Sequence, residues 1–542
     1  MPELLARYRN PETPAARAIM DVAIDARRLG HPPAIPHALL EHAAPGYLDD
    51  HQWDQAGDDW LERALAFTGN PCHGVPGPLT RIRPRPTELA TAGGPHYRLA
   101  DALEQTGHTE RAAVFPPDSF WTAAATITNP EVLDQLGIQA LSRGRYQHAA
   151  TLFQHAADRG HRSALRELGR LRERAGDHAG AEALAMRSAD LGYTAPTLDR
   201  AEVRKAAGDH AAAEGLYRDA ANRGDPAALS GLAALRGRAG DTAGAEALAI
   251  QAADLGHPIG LLWVAMQREE AGDRMGAEAL ARQAAEYEFL VPLGVLAHLR
   301  ERHGDYATAE ALAVQGVERD DPEALGLMAR LRDRAGDHSG AEALALEASN
   351  RGDPNAVTEF ARYLRNDLGE RSRAEAFVER AVDRGDLFAL GDLADIRVEV
   401  GDYAGAEALA MRAAVLGDTA VLVILAARRA EAGDHSGAEA LYQRAVEHGD
   451  TMALRELAQM RNDLNDHAGA AELFLQAVNC GETSALNDLA RLRDQTGDHL
   501  DADRIRRFGL TSDGKPAISL DVNPPTAETS DRMCGSGEAR EG

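Results

Sequence analysis

The sequence predicts an all-α fold, a right-handed α-solenoid of 32-residue helix-turn-helix repeats behind a mainly helical N-terminal module. Three observations carry this reading. A Gly-Asp pair returns every 32 residues through the last three quarters of the 542-residue chain. Ala and Leu recur at fixed offsets from that pair, on one face of a helix. Aromatic residues are only 5% of a chain that is 44% hydrophobic, so the core must be built mostly from Ala and Leu.

The turn positions are Gly144, Gly176, Gly208, Gly240, Gly272, Gly304, Gly336, Gly369, Gly401, Gly433, Asn465 and Gly497. Every interval is 32 except Gly336 to Gly369, which is 33, so the extra residue in Arg362–Leu368 should bulge one helix end. Asp follows the turn residue except at Arg145 and Glu370, and Asn465 keeps the chemistry, since Asn tolerates a left-handed backbone. Ala stands five residues after each turn residue, from Ala149 to Ala502, and Leu eight after it, with Phe377 and Ile505 as variants. A second series of glycines, such as Gly224, Gly256 and Gly449, divides each unit into two helices. Gly ends each helix and Asp caps the next. One such hairpin cannot bury its own apolar face; stacked neighbours supply the missing partner.

The unit resembles the tetratricopeptide repeat. Leu168-Gly169, Gly176 and Ala181 fall where that family places its Leu-Gly, its turn Gly and the first packing Ala of its second helix, and Gly224–Leu229 looks like the related Sel-type solenoids. The resemblance covers about residues 136–508; it departs in having 32 residues per unit and Arg in place of the large aromatic of the first helix. It implies a concave groove that holds peptides or partner proteins.

The replacing Arg is itself periodic, from Arg172 through Arg268, Arg300, Arg332 and Arg429 to Arg493, with Arg365 displaced in the longer unit. Glu is almost as regular on the following helix, from Glu182 to Glu439. The two lie symmetrically about the Gly-Asp turn. The expectation is an ion-pair ladder within each hairpin, Arg172 with Glu182, weighed against an open Arg stripe for an acidic partner. His178, His210, His338, His435, His467 and His499 share the slot after the turn with Tyr146, Tyr306 and Tyr403. Repeats about 10 Å apart cannot bring two of those rings onto one zinc, so the slot wants a flat side chain and no metal is expected. Arg-Gly-Asp at 223–225, 351–353 and 384–386 reads as an inter-helix turn. Gly509-x4-Gly514-Lys515 imitates a phosphate loop, but Pro516 stands where Ser or Thr must bind magnesium. No cofactor is expected.

Residues 1–135 have another texture and hold Trp53, Trp60 and Trp121, three of the four tryptophans. Helices are expected over Pro14–Gly30, His37–Ala43 and Asp50–Phe67, and an edge strand over Leu79–Arg85 paired with His96–Leu99. Three helices and a hairpin suggest a winged-helix-like module. Ala15-Ala16-Arg17-Ala18, Asp25–Gly30, Ala44–Leu48 and Asp59–Glu62 resemble the helical segment after the nucleotide-binding domain in actinobacterial signal-transduction NTPases that end in tetratricopeptide-like arrays. No phosphate loop is present here, so that resemblance implies a sensor half, with a separately encoded NTPase as one partner.

Charge narrows the function. There are 58 basic and 85 acidic residues, a net −27, and Lys205 and Lys515 are the only lysines. Such acidity opposes dedicated nucleic-acid or anionic-membrane binding. Residues 1–140 hold 11 Arg and 18 acidic residues, net −7. Cys72, Cys480 and Cys534 lie too far apart in sequence for a disulfide framework, and no apolar signal core or membrane stretch is present, so a cytoplasmic protein is expected. The domain boundaries expected are 1–135 for the module, 136–510 for the solenoid and 511–542 for a disordered tail.

The function expected is a non-enzymatic protein- or peptide-binding scaffold or sensor that uses the concave face of the solenoid. Candidate partner-binding residues are Arg170, Glu202, Met266, His298, Arg330, Arg362, Asp395, Gln459 and Arg491, which vary between repeats while the Ala, Leu, Gly and Arg ladders do not. The alternative is a DNA-binding transcriptional regulator with a winged-helix-like module and a solenoid sensor. An enzyme is not expected. Asp49, Asp50, His51, Asp54, Asp58 and Asp59 cluster in the module, but a polar helix start explains them.

Overall fold

A computed structural model describes residues 2–71, 74–83, 94–287, 292–318, 322–353 and 355–521. Its contacts form two compact units, Met1–Ser188 with Thr451–Gly542, and Ala189–Asp450. The N-terminal module, the first repeats and the last repeats therefore share one unit, where the sequence suggested three successive segments.

Most of the chain is built from helix-turn-helix repeats. Twelve hairpins follow one another from Pro130–Ser142 with Tyr146–Asp158 to Ser484–Gln495 with His499–Phe508. In each, the helix before the Gly-Asp turn is called the A helix and the one after it the B helix. The local cause is the same in most of them; Arg145 and Glu370 stand in the cap position without a side-chain cap. Gly176, at φ +87°, ends its A helix in the left-handed conformation, and Asn465 takes φ +63° in the glycine's place. The Asp then caps the B helix: the Asp241 carboxylate accepts from the Gly244 amide at 2.9 Å, and Asp434 from Gly437 at 2.9 Å. The packing alanines, Ala213, Ala249, Ala281, Ala313 and Ala345 in the second unit, are fully buried, as close helix approach requires.

The longer repeat holds its extra residue as one π-helical turn, Tyr363–Asp367, at the helix end where the 33-residue interval predicted a bulge. The bulge rotates Arg365 out of the ladder. It lies 3.5 Å from Glu399 on the next A helix, and Glu342 accepts instead from Arg373 at 3.0 Å and from Arg380.

The module packs on helix Pro14–Arg28, whose Ile19, Met20, Val22, Ala23 and Ala26 are fully buried. Strands β1 (Ile35–Pro36), β2 (Leu79–Ile82) and β3 (His96–Leu99) form an antiparallel sheet in the order β1-β3-β2. Between β1 and β2 lie the helices His37–Ala43, Asp50–Asp54 and Trp60–Gly69 with a 3-10 turn at Ala44–Tyr47, and β2 and β3 form a hairpin whose second strand is central. One expectation needs correction here. The third helix is split into Asp50–Asp54 and Trp60–Gly69, because Gly57 turns left-handed at φ +74°. β1 was invisible in sequence, since two residues ending in Pro carry no alternation. Of the module's tryptophans, Trp121 is buried, while Trp53 is exposed and meets Trp60 edge-on. The expected strand end at Pro84-Arg85 and the loop residues 86–93 lie outside the described residues.

The tail also differs from expectation. From Thr511 to Asp521 the chain is bonded: Leu510 donates to the Gly144 carbonyl at 2.8 Å, Thr511 to Lys515 at 2.8 Å and Ala517 to Gly509 at 2.9 Å. Leu510 and Ala517 are buried, and apolar burial with paired amides outweighs a composition that reads as disorder. Residues 522–542 lie outside the described residues.

Candidate interaction surface

Many of the periodic polar residues have a definite partner. The Arg ladder runs between hairpins, not within them, which corrects the expected pairing. Arg268 reaches Glu246 on the preceding B helix; Arg397 reaches Glu375 at 3.1 Å, Arg429 reaches Glu407 at 3.0 Å and Arg332 stands 3.9 Å from Glu310. Several of these arginines also face the capping Asp five residues on, as Arg268 does Asp273 at 3.2 Å, Arg236 does Asp241 at 3.3 Å and Arg461 does Asp466 at 3.4 Å. Arg172 pairs with Asp177 at 2.8 Å, since the preceding B helix has Ala150 where later ones have Glu.

The His slot closes the same turn. His178 lies 2.8 Å from Glu173, His338 2.8 Å from Asp333, His499 3.1 Å from Asp494 and His467 3.0 Å from Asn462, each five residues back. At Tyr146 and Tyr306 the ring takes an Arg from the next A helix: Arg174 donates to the Tyr146 hydroxyl, and Arg334 donates to the Tyr306 hydroxyl at 3.1 Å and lies over the ring. In the Arg-Gly-Asp turns the carboxylates are caps. Asp225 accepts from the Ala227 amide at 2.8 Å, Asp353 from Asn355 at 2.9 Å and Asp386 from Phe388 at 3.0 Å.

The nine candidate residues lie on A helices, on the flank left by those ladders. In the first unit, Arg170 and Arg491 are exposed and pair along their own helices with Glu167 at 3.1 Å and Asp488 at 2.6 Å, while Gln459 is half-buried and donates to Asp463 at 2.8 Å. In the second unit, Glu202, His298 and Arg362 are exposed, whereas Met266 and Asp395 are half-buried. Glu202 accepts from Tyr217 and Lys205. Arg330 is the one drawn inward. It meets Glu301 at 3.1 Å, Glu359 at 3.2 Å and His298 at 3.3 Å, joining three successive A helices. Burial raises the Glu301 carboxyl, but His298 and Arg330 outweigh it and hold it below its ordinary value. Asp395 is pushed up by burial, with Arg428 and Arg365 only partly offsetting it.

Sequence reasoning missed a second cluster, in the first unit, because it joins residues far apart along the chain. Asp118 of the module, His148 of the first B helix and Ser512 of the tail converge. His148 Nε2 lies 2.8 Å from Ser512 Oγ and 3.1 Å from Asp118 Oδ1, and Ser512 donates to Asp118. His148 packs beside a pair of rings, with its centre 5.6 Å from Trp121 and 6.2 Å from Phe115, which stack on each other at 5.0 Å. The trio has the residue types of a hydrolase triad but not its geometry. Ser and Asp share one ring nitrogen, so His cannot pass a proton from one side to the other. His148 and Ser512 instead hold the Asp118 carboxyl down at about 2. The Gly509–Lys515 imitation of a phosphate loop belongs to this docked tail, and its amides are bonded inward: Thr511 to Lys515, Gly514 to Thr511 and Lys515 to the Thr511 hydroxyl. The acidic cluster in the module is a capping box, with Asp49 accepting from the Gln52 amide at 2.8 Å and Gln52 from the Asp49 amide at 3.2 Å.

Among the described residues no group of three or more His, Cys, Asp and Glu is placed to hold a metal ion, and no helix is long and apolar enough to cross a membrane. No family model and no curated protein matches the chain. Solved structures do match. One is c5321, a protective antigen of uropathogenic Escherichia coli with an SLR fold, at 18% identity over 78% of this chain and 97% of that one, TM-score 0.28. Others are Naa15/Naa10 bound to HypK-THB, at 16% identity over 79% and 69%, TM-score 0.35, and yeast Tom70, at 15% over 68% and 96%, TM-score 0.28.

Proposed function

We propose that this chain is a non-enzymatic scaffold or sensor that holds a protein or peptide partner on the exposed flank of its A helices. The observation that carries the reading is how the repeats use their polar residues. Asp caps, Arg–Glu pairs and His–acid pairs are engaged inside the array. The position about six residues before each turn is the one that varies and, at Arg170, Glu202, His298, Arg362 and Arg491, stays exposed. A fixed backbone with a variable polar flank suits recognition of a peptide or helix. The module's resemblance to signal-transduction NTPases makes a separately encoded NTPase one such partner.

Partner capture from a native lysate by the full chain tests this, compared with a Glu202→Ala/His298→Ala/Arg362→Ala/Arg491→Ala variant of unchanged circular dichroism. The protein captured by the wild type should be lost from the variant. Equal capture by both, or saturable ATP binding by either, overturns the reading.

A DNA-binding regulator is the second reading, favoured by the helix order and the β1-β3-β2 sheet of the module. The net −7 of residues 1–140 weighs against it. Gel retardation by the full chain at low salt, abolished as salt rises, would favour it over the scaffold.

A further inference from the structure

The segment Gly509–Asp521 touches the module and the first two repeats at separate points. Leu510 donates to Gly144 at 2.8 Å, Gln147 donates to the Asp521 carbonyl at 3.0 Å, and Ser512 bridges His148 and Asp118. Just before it, Arg507 donates to the Ala175 carbonyl at 2.7 Å. Leu510 and Ala517 are its only fully buried apolar side chains among the described residues. Attachment at a few hydrogen-bonded points, with little apolar burial, lets a segment leave without unfolding the helices beneath it.

The receiving turn is built differently from the rest of the array. Arg145 replaces the capping Asp and is 1% exposed, with its guanidinium 4.4 Å from the Phe115 ring centre and no hydrogen-bond partner at Nε. Its nearest acid by field is Asp513 of the segment. Gly509 takes φ +73° and ψ −146°, open only to glycine, and a Cβ there would overlap the Gly144 carbonyl. A cavity of about 960 Å³ opens beside it, lined by Tyr47, Phe115, His148, Ser512 and Pro516, so that module, first repeat and segment each form part of its wall.

We propose that Gly509–Asp521 is a releasable clasp that fastens the last repeat and the N-terminal module to the first repeat, and whose release removes one wall of this cavity. Charge repulsion should undo it. Ser512→Asp sets a second carboxylate against Asp118, and Gly509→Ala blocks the approach to Gly144.

Amide exchange of the full chain, read by mass spectrometry, tests the clasp. Both variants should exchange on the order of tenfold faster in 509–517, with the helices beneath, 130–158, and residues 210–286 unchanged. Adding Asp118→Asn to Ser512→Asp should restore much of the protection. Wild-type exchange in both single variants overturns the proposal. So does faster exchange spread equally over 210–286, or a failure of Asp118→Asn to rescue.

Discussion

The inter-hairpin ladder predicts a measurable coupling between Arg429 and Glu407, residues 22 apart in sequence on different hairpins. At 3.0 Å two unit charges attract by about 1.4 kcal/mol in water, and more strongly as water is excluded. The side chains are 18% and 29% exposed, so screening is incomplete, while ordering two long side chains offsets part of the gain. A coupling of about 1 kcal/mol is therefore expected from the Arg429→Met/Glu407→Met double-mutant cycle. The single changes should be unequal. Glu407→Met strands two arginines, Arg429 and Arg444, whereas Arg429→Met leaves Glu407 with Arg444. Urea unfolding followed by circular dichroism reads the cycle, with exchange of helix Ala420–Glu431 as a local check. The same cycle at Arg172 and Glu182, the pair that sequence symmetry favours, should give no coupling. Coupling at 172/182 and none at 429/407 would refute the inter-hairpin assignment.

Asp25→Asn should destabilise the first unit by about 3–5 kcal/mol, because the buried carboxylate accepts from Arg28 at 2.6 Å, Arg111 at 2.7 Å and Tyr47 at 2.8 Å; thermal unfolding measures it. Ala249→Leu should cost about 1–3 kcal/mol by overpacking a fully buried contact, with a lower urea midpoint and unchanged helix content in the native baseline. Asp118 has a depressed folded pKa of about 2, so its contribution is complete above the ordinary carboxylate value near 3.8 and fades as pH falls through about 2. Exchange in residues 509–517 should accordingly rise below pH 4 in the wild type more than in Asp118→Asn.

Much of the architecture is local and so was legible in the sequence. A left-handed turn needs Gly or Asn, a helix start needs an Asp cap, and a close helix contact needs Ala. Each is decided within a few residues, and a 32-residue period repeats the decision twelve times. That the extra residue would bulge a helix end near Arg362–Leu368 followed from simple counting; its form, a π-helical turn at Tyr363–Asp367, did not. Which Glu an Arg reaches did not follow. Symmetry about the turn favours Glu182 for Arg172, but the choice depends on which flank of the A helix meets which neighbour. That is a property of packing, and it sends the ladder to the preceding hairpin. The candidate flank was legible as variation, yet only the structure separates the exposed His298 from Arg330, which is drawn into contact with Glu301 and Glu359.

The ends of the chain mark the sharpest division. Thr511–Asp521 has the composition of a disordered tail, and in isolation nothing in it can bury a core. Its order comes from partners hundreds of residues away, Asp118, Gly144 and His148, that helix packing in the first unit brings beside it. Sequence alone determined the repeat, its turns and its small-residue core, because those rest on near-neighbour sterics. Tertiary structure alone decided the ladder's partners and the docking of the tail, because those depend on where distant segments meet.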